Sequence, residues 1–239
     1  MEVLITGGTS GVGVAAVESL LNAGNIVHFT YCNNTVKAKK LCERFPNARA
    51  YRCNFRDAPS VDSFCQQLDG MALDALVNNA FTGKFLERQC HRNSIELYDE
   101  VFRDNVLPTI RITHQAITGF KKRHCGKIIT ILTAGLLGKP PIGSSAYVSA
   151  KAFLAQMSRC WATEYIRHGI TSNTISPSFM RTNFTADIDA RMAEEIANAH
   201  PLGRLLDCHD VVSVVEFLLS APMDVNGVDI PITAGSTMH

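Results

Sequence analysis

Seven short apolar runs, separated by longer stretches with a helical rhythm, set the pattern of this chain. EVLIT (2–6), NIVHFTY (25–31), ARAYRCN (48–54), LDALVNN (73–79), GKIITIL (126–132), ITSNTIS (170–176) and VDIPIT (228–233) are short, β-branched and mostly unalternated. That is the pattern of strands covered on both faces of a sheet. Between them VAAVESLLNAG, TVKAKKLCERF and SVDSFCQQL have amphipathic helical spacing, and the first ends in Asn-Ala-Gly, a helix stop. The alternation predicts an α/β fold: a single Rossmann-type, doubly wound parallel sheet of about seven strands with helices on both faces. No repeat, low-complexity tract or proline-rich linker interrupts it, so one domain is expected over 1–239. One segment breaks the rhythm. PSFMRTNFTADIDARMAEEIANAHPLGRLL follows the sixth run, is helical in parts and is bounded by prolines. Long insertions at the carboxyl ends of such strands serve as lids or binding loops, and a lid is expected at about 183–203.

Composition narrows the function more by exclusion than by suggestion. With 239 residues, 46% hydrophobic and 19% charged, the chain is globular rather than disordered. Its net charge of +1 gives no electrostatic case for nucleic acid or an anionic membrane. The 8 cysteines are scattered with no C-x-x-C, and they are expected to be inert thiols of a reduced compartment. Cys90-His91 and His124-Cys125 lack zinc-ligand spacing, so no metal is expected. The opening MEVLITGG shows no basic region followed by an apolar one, so no leader is expected, and no apolar run approaches the ~18 residues of a membrane span. A cytoplasmic protein is expected.

Two stretches carry chemistry. The first strand runs straight into TGGTSGVG, with Gly7, Gly11 and Gly13 at the turn and the entry to a helix. Glycines there let the backbone approach a pyrophosphate, and the helix start offers free N–H groups and a positive dipole end. The spacing is T-G-x-x-x-G-x-G rather than G-x-G-x-x-G. The second stretch, SSAYVSAKAF (144–153), sets Tyr147 and Lys151 four residues apart. On a helix that puts both on one face, where an ammonium would lower the phenol's pKa by stabilising the phenolate. Taken alone, such a pair is commonplace.

TGGTSGVG at 6–13, NNA at 78–80, Asn105 in FRDNVLP, YVSAK at 147–151 and PSFMRT at 177–182 occur in the order seen in short-chain dehydrogenases/reductases, and the chain resembles that family over essentially its whole length. FKKRHCGKIITI and the closing GSTMH resemble bacterial 3-oxoacyl-carrier-protein reductases in particular. The resemblance implies an oxidoreductase that moves a hydride between a nicotinamide cofactor and a ketone or secondary alcohol. It implies that Tyr147 exchanges a proton with the substrate oxygen. Lys151 would lower the phenol's pKa and bind the nicotinamide ribose, and Asn105 would hold a water linking Lys151 to solvent. Gly7, Gly11 and Gly13 would cradle the pyrophosphate with Thr9, Ser10 and Val12. Tyr31, Asn33, Asn34, Asn54, Phe55, Asn78 and Ala80 would line the adenosine side, and Pro177 and Thr182 the nicotinamide side.

Four departures stand out. The family's serine thirteen residues before the tyrosine falls on Ala134; matching GKIITIL to the fifth strand instead seats Thr133 there, with one extra residue in the KPPIG loop. Threonine offers the same hydroxyl with a stiffer χ1. Phe81 replaces the glycine of NNAG, Ser178 the glycine after Pro177, and Asn54 the usual aspartate. At the end of the second strand YCNNTVK has no acid until Glu43, while Asn33, Asn34 and Lys37 suit a 2′-phosphate, so NADP(H) is preferred over NAD(H). A 3-oxoacyl thioester or related ketone is the expected substrate, with Lys121, Lys122, Arg123 and Arg167 as a candidate dock for an acidic carrier protein. Phe81, Phe179, Met180 and Phe184 are a candidate apolar substrate wall. The alternatives are an alcohol-oxidising dehydrogenase of a sugar or natural product and, from another class, a cofactor-binding protein without turnover. The apolar surplus of FRDNVLPTIRITHQAI and AKAFLAQMSRCWATEY suggests a homodimer or homotetramer.

Overall fold

The computed structural model describes residues 1–237; Met238 and His239, the end of the GSTMH stretch, lie outside the described residues. Seven parallel strands form one sheet: β1 (Glu2–Ile5), β2 (Ile26–Tyr31), β3 (Ala48–Arg52), β4 (Ala75–Asn78), β5 (Gly126–Ile131), β6 (Ile170–Pro177) and β7 (Asp229–Ile232). Their order is β3-β2-β1-β4-β5-β6-β7. The chain winds outward from β1 in one direction and from β4 in the other, so a crevice opens above the carboxyl ends of these two neighbours. Each strand falls within the apolar run that predicted it or passes it by one residue.

The runs do not alternate because both faces are buried. Val3, Ile5, Val77 and Ile129 pack on one face with Val17 and Leu20 of α1 (Gly11–Asn22), Leu41 of α2 (Thr35–Arg44) and Val211 and Val215 of α8 (Cys208–Ser220). Leu4, Leu76 and Ile128 turn the other way. They meet Phe64 of α3 (Ala58–Leu68), Ile112 and Phe120 of α5 (Leu107–Arg123) and Trp161 of α6 (Ser145–Tyr165).

α4 (Ile95–Val101) does not pass directly into α5. A π-helical turn, Phe102–Val106, widens the helix between them. The insertion after β6 contains a 3-10 turn (Asn183–Thr185) and α7 (Ala190–Ala199). Among the described residues no helix is long and apolar enough to cross a membrane.

Candidate active site

The turn after β1 is tied to both neighbouring strands. Gly7 N–H donates to the Thr30 hydroxyl at 3.0 Å and Gly8 N–H to the Thr30 carbonyl at 2.8 Å. On the other side the Thr6 hydroxyl accepts from the Asn79 and Ala80 N–H groups, both at 3.0 Å. The Asn79 amide donates to the carbonyls of Thr6 at 2.9 Å and Gly7 at 3.3 Å. Gly7 (φ +72°) and Gly11 (φ +53°) hold left-handed backbone, where a side chain is strained. Gly13 has a different role. A Cβ there would lie 2.2 Å from the Gly7 carbonyl oxygen, so its bareness lets α1 seat against the turn.

Above this turn lies a cavity of about 780 Å³. Its wall includes Gly7, Thr9, Ser10, Gly11, Val12, Tyr31, Asn33, Asn34, Asn54, Phe55, Ala80, Thr133, Tyr147, Lys151, Pro177 and Thr182, all singled out in the sequence. The cavity fits a dinucleotide cofactor. Ser10 caps α1 without a side-chain hydrogen bond and the first turn of α1 carries no acid, leaving its N–H groups and positive end for phosphate. Among the described lining residues none is Asp or Glu, and the lysines are Lys139 and Lys151. Ser178 lines the cavity too, and its hydroxyl is buried with no hydrogen-bond partner among the described residues.

Four expected residues do not line the cavity: Gly13, Lys37, Asn78 and Asn105. Asn78 points into the sheet, its amide donating to the Thr113 hydroxyl at 3.0 Å. The next residue, Asn79, reaches the wall instead. The Asn105 amide is also committed: it accepts from the Thr82 N–H at 2.6 Å and donates to the carbonyls of Thr82 at 3.1 Å and Val101 at 3.0 Å. It clamps the loop after β4 rather than presenting a free amide to a water. Asn34 has a further duty as well, since its side-chain oxygen caps α2 by accepting from Lys37 N–H at 3.0 Å.

Tyr147 and Lys151 sit on the first turns of α6, facing the end of β5. The buried Lys151 ammonium donates to the Ile131 carbonyl at 2.7 Å and lies 4.9 Å over the Phe81 ring. Burial pulls its pKa down to about 7. Burial pushes the Tyr147 phenol the other way, up to about 12, with a hydrogen bond to Thr133 pulling it back. The lysine was expected to lower the phenol's pKa; in this arrangement burial dominates and the group that opposes it is the Thr133 hydroxyl. Thr133 is buried at the start of a 3-10 turn (Ala134–Leu136) and accepts from Gly135 N–H at 3.2 Å.

One side of the cavity is aromatic. Phe81, Phe85 and Phe184 stand 5.0, 5.3 and 5.4 Å from the Tyr147 ring, centroid to centroid. Phe179 stands 5.8 Å from Phe85, and Leu86, Ile188, Met192 and Ile196 complete that side. Phe85 was missed in the sequence: GKFLE has no periodicity to mark it. Cys53 also lines the cavity, and burial pushes its thiol up to about 12, which makes it a poor nucleophile.

The basic cluster lies elsewhere. Lys121, Lys122 and Arg123 end α5 just before β5 starts, and Arg167 precedes β6. Within one chain they occupy the amino edge of the sheet, opposite the cavity. Among the described residues no group of three His, Cys, Asp or Glu side chains is placed to hold a metal.

A family profile described as enoyl-(acyl carrier protein) reductase matches residues 7–237. The 3-oxoacyl-[acyl-carrier-protein] reductase of Vibrio harveyi is 28% identical over 221 residues, 91% of this chain and 88% of that protein. The acetoacetyl-CoA reductase of Rhizobium meliloti (strain 1021) is 30% identical over 227 residues, 91% of this chain and 90% of that protein. Among solved structures, the 3-ketoacyl-(acyl-carrier-protein) reductase of Brucella melitensis complexed with NADH superposes with a TM-score of 0.88, covering 99% of this chain and 98% of that one; at 22% identity it speaks for the fold.

Proposed function

The chain belongs to the short-chain dehydrogenase/reductase family, and on that premise we propose that it uses a reduced nicotinamide dinucleotide to convert a ketone to a secondary alcohol, with 3-oxoacyl thioesters as the favoured substrate class. The observation that carries this reading is the meeting of Thr133, Tyr147 and Lys151 on the wall of the same cavity as the glycine turn. When bound, the cofactor supplies the hydride. The chain's own groups handle the proton and the charge. Thr133 donates to the ketone oxygen, polarising it, and Tyr147 gives that oxygen its phenolic proton. With its pKa raised, the phenol holds its proton at neutral pH, which suits an acid acting in the reducing direction. Lys151, anchored on the Ile131 carbonyl, would hold a ribose hydroxyl and pass on the proton that replaces the one Tyr147 gives up. Phosphates would sit on the N–H groups of Gly11 and Val12. Thr182, whose methyl group lies 3.4 Å from where a Gly11 Cβ would stand, would border the nicotinamide.

NADP(H) is the preferred cofactor. A carboxylate at the end of β2 would repel a 2′-phosphate, and YCNNTVK has none. The insertion at about 183–203 acts as the substrate lid, since Phe184, Ile188, Met192 and Ile196 face the cavity from it. A homodimer or homotetramer built on α5 and α6 accounts for the exposed Leu107 and Phe153. The test is NADPH oxidation, then NADH oxidation, over a panel of 3-oxoacyl thioesters and simple ketones. Reduction of a 3-oxoacyl thioester, faster with NADPH, is expected. Thioesters left untouched while secondary alcohols are oxidised would move the assignment to a dehydrogenase.

A further inference from the structure

Four phenylalanines from two loops converge on one side of the cavity. Phe81 and Phe85 follow β4; Phe179 and Phe184 follow β6. Phe81, Phe85 and Phe184 all meet the Tyr147 ring, and Phe184 also meets the other two: Phe81–Phe184 are 5.6 Å apart at 74°, and Phe85–Phe184 are 6.3 Å apart at 67°. All four rings remain partly exposed rather than joining the fully buried core. Partly exposed aromatic surface lining a cavity beside a reacting hydroxyl is characteristic of a binding wall. A polyol would lose water from each hydroxyl against these rings, and Leu86, Ile188, Met192 and Ile196 add further apolar surface to the cavity wall. A flat apolar group meets the opposite conditions, since edge-to-face and offset contacts are the geometries such rings favour.

We propose that this side of the cavity selects ketones bearing an aryl or conjugated group next to the carbonyl, with Phe85 and Phe184 as the residues that set the preference. The proposal rests on the ketoreductase reading and names the substrate class within it. Two extra aromatic contacts correspond to a preference of about tenfold in kcat/KM.

The test compares the full chain, supplied with NADPH, on ethyl benzoylacetate, ethyl acetoacetate and 5-ketogluconate. In parallel, the thermal midpoint of the NADPH-loaded protein is followed with the alcohol ethyl 3-hydroxy-3-phenylpropanoate. The expected order is the phenyl ketone ahead of the methyl ketone by about tenfold, the sugar acid last, and a rise in midpoint with the phenyl alcohol. Phe85→Leu and Phe184→Leu, which keep an apolar side chain, should each lower the phenyl-to-methyl ratio at least about threefold. A wild-type ratio near one, an unchanged ratio in both variants, or 5-ketogluconate in first place overturns the proposal and leaves the ketoreductase reading intact. If the phenyl alcohol stabilises the protein but neither these ketones nor a 3-oxoacyl thioester is reduced, the ketoreductase reading fails and the selectivity of the wall stands. If neither happens, both fail.

Discussion

The half of the cavity proposed for the nucleotide and the half proposed for the substrate are built by different means. The nucleotide half is mostly backbone: a glycine turn, the bare start of α1 and the ends of β2 and β4, held by hydrogen bonds from Thr6, Thr30 and Asn79. Its groups lie within a few residues of a strand end, so the sheet places them directly. The substrate half is side chains. Thr133, Tyr147 and four phenylalanines arrive from loops or helix starts after β4, β5 and β6 and meet only in three dimensions. Backbone sites tolerate changes of side chain around them and fail when a Cβ intrudes; side-chain sites fail one functional group at a time.

That contrast predicts mutants that separate the two halves. The largest effect belongs to Tyr147→Phe, which deletes the proton donor and keeps the ring packing. Turnover should fall by about 10³- to 10⁴-fold while NADPH affinity, followed by fluorescence titration, stays within about threefold. Retained turnover would remove Tyr147 from the chemistry. Thr133→Val keeps the shape and deletes the hydroxyl, at a cost of about a hundredfold in kcat, and Thr133→Ser should restore most of it. An unchanged rate in the valine variant would place the polarising group elsewhere.

Gly13→Ala should do the reverse. The added methyl collides with the Gly7 carbonyl and with the Asn79 amide at 2.6 Å, so the helix must shift. Denaturant unfolding should report a loss of about 1–3 kcal/mol, and NADPH affinity should drop with it. Gly70→Ala, where nothing lies within 4 Å, is the neutral comparison. If the two alanines behave alike, the close approach at Gly13 carries no weight.

The smallest effect is a pH dependence. An unfolded lysine holds its proton up to its ordinary 10.5, whereas the folded Lys151 amine releases it near 7. The unfolded chain therefore binds more protons in that window, and cofactor-free stability should rise from pH 7 toward pH 9 by about 1–2 kcal/mol. Lys151→Met should flatten the rise. Tyr147 works in the opposite sense only above its ordinary value of 10. The Cys53 and Cys65 thiols, raised from 9 by burial, oppose the rise as pH 9 is approached, so the Lys151 share is read as the difference from the variant. An undiminished slope in the variant would mean that the ammonium is not buried as described.

Legibility in the sequence follows the same division. β1 to β7 were visible because a strand buried on both faces must be a continuous apolar run, and the glycine turn because its function is local. Among nucleotide-side residues the error was one of facing. Asn78 and Asn79 alternate on a strand end, and it is Asn79 that reaches the cavity. Asn105 was visible as a position, but its commitment to Thr82 depends on a π turn that no spacing announces. Thr133 was singled out through strand alignment rather than counting, and it stands on the cavity wall beside Tyr147. Phe81, Phe179 and Phe184 were singled out in the sequence as apolar residues near strand ends, but Phe85 was not: loop residues carry no period, and the meeting of the four rings is a product of tertiary structure.

Hydride transfer at the Thr133–Tyr147 wall is the central claim, and isotope transfer tests it most directly. Wild-type protein is given NADPH deuterated at the nicotinamide C4, on one face and then the other, with a 3-oxoacyl thioester as substrate. The account predicts that one face delivers a single deuterium to the carbinol carbon of the product and that Tyr147→Phe nearly abolishes the transfer. Cofactor consumption without deuterium at that carbon, or undiminished transfer in Tyr147→Phe, would contradict it.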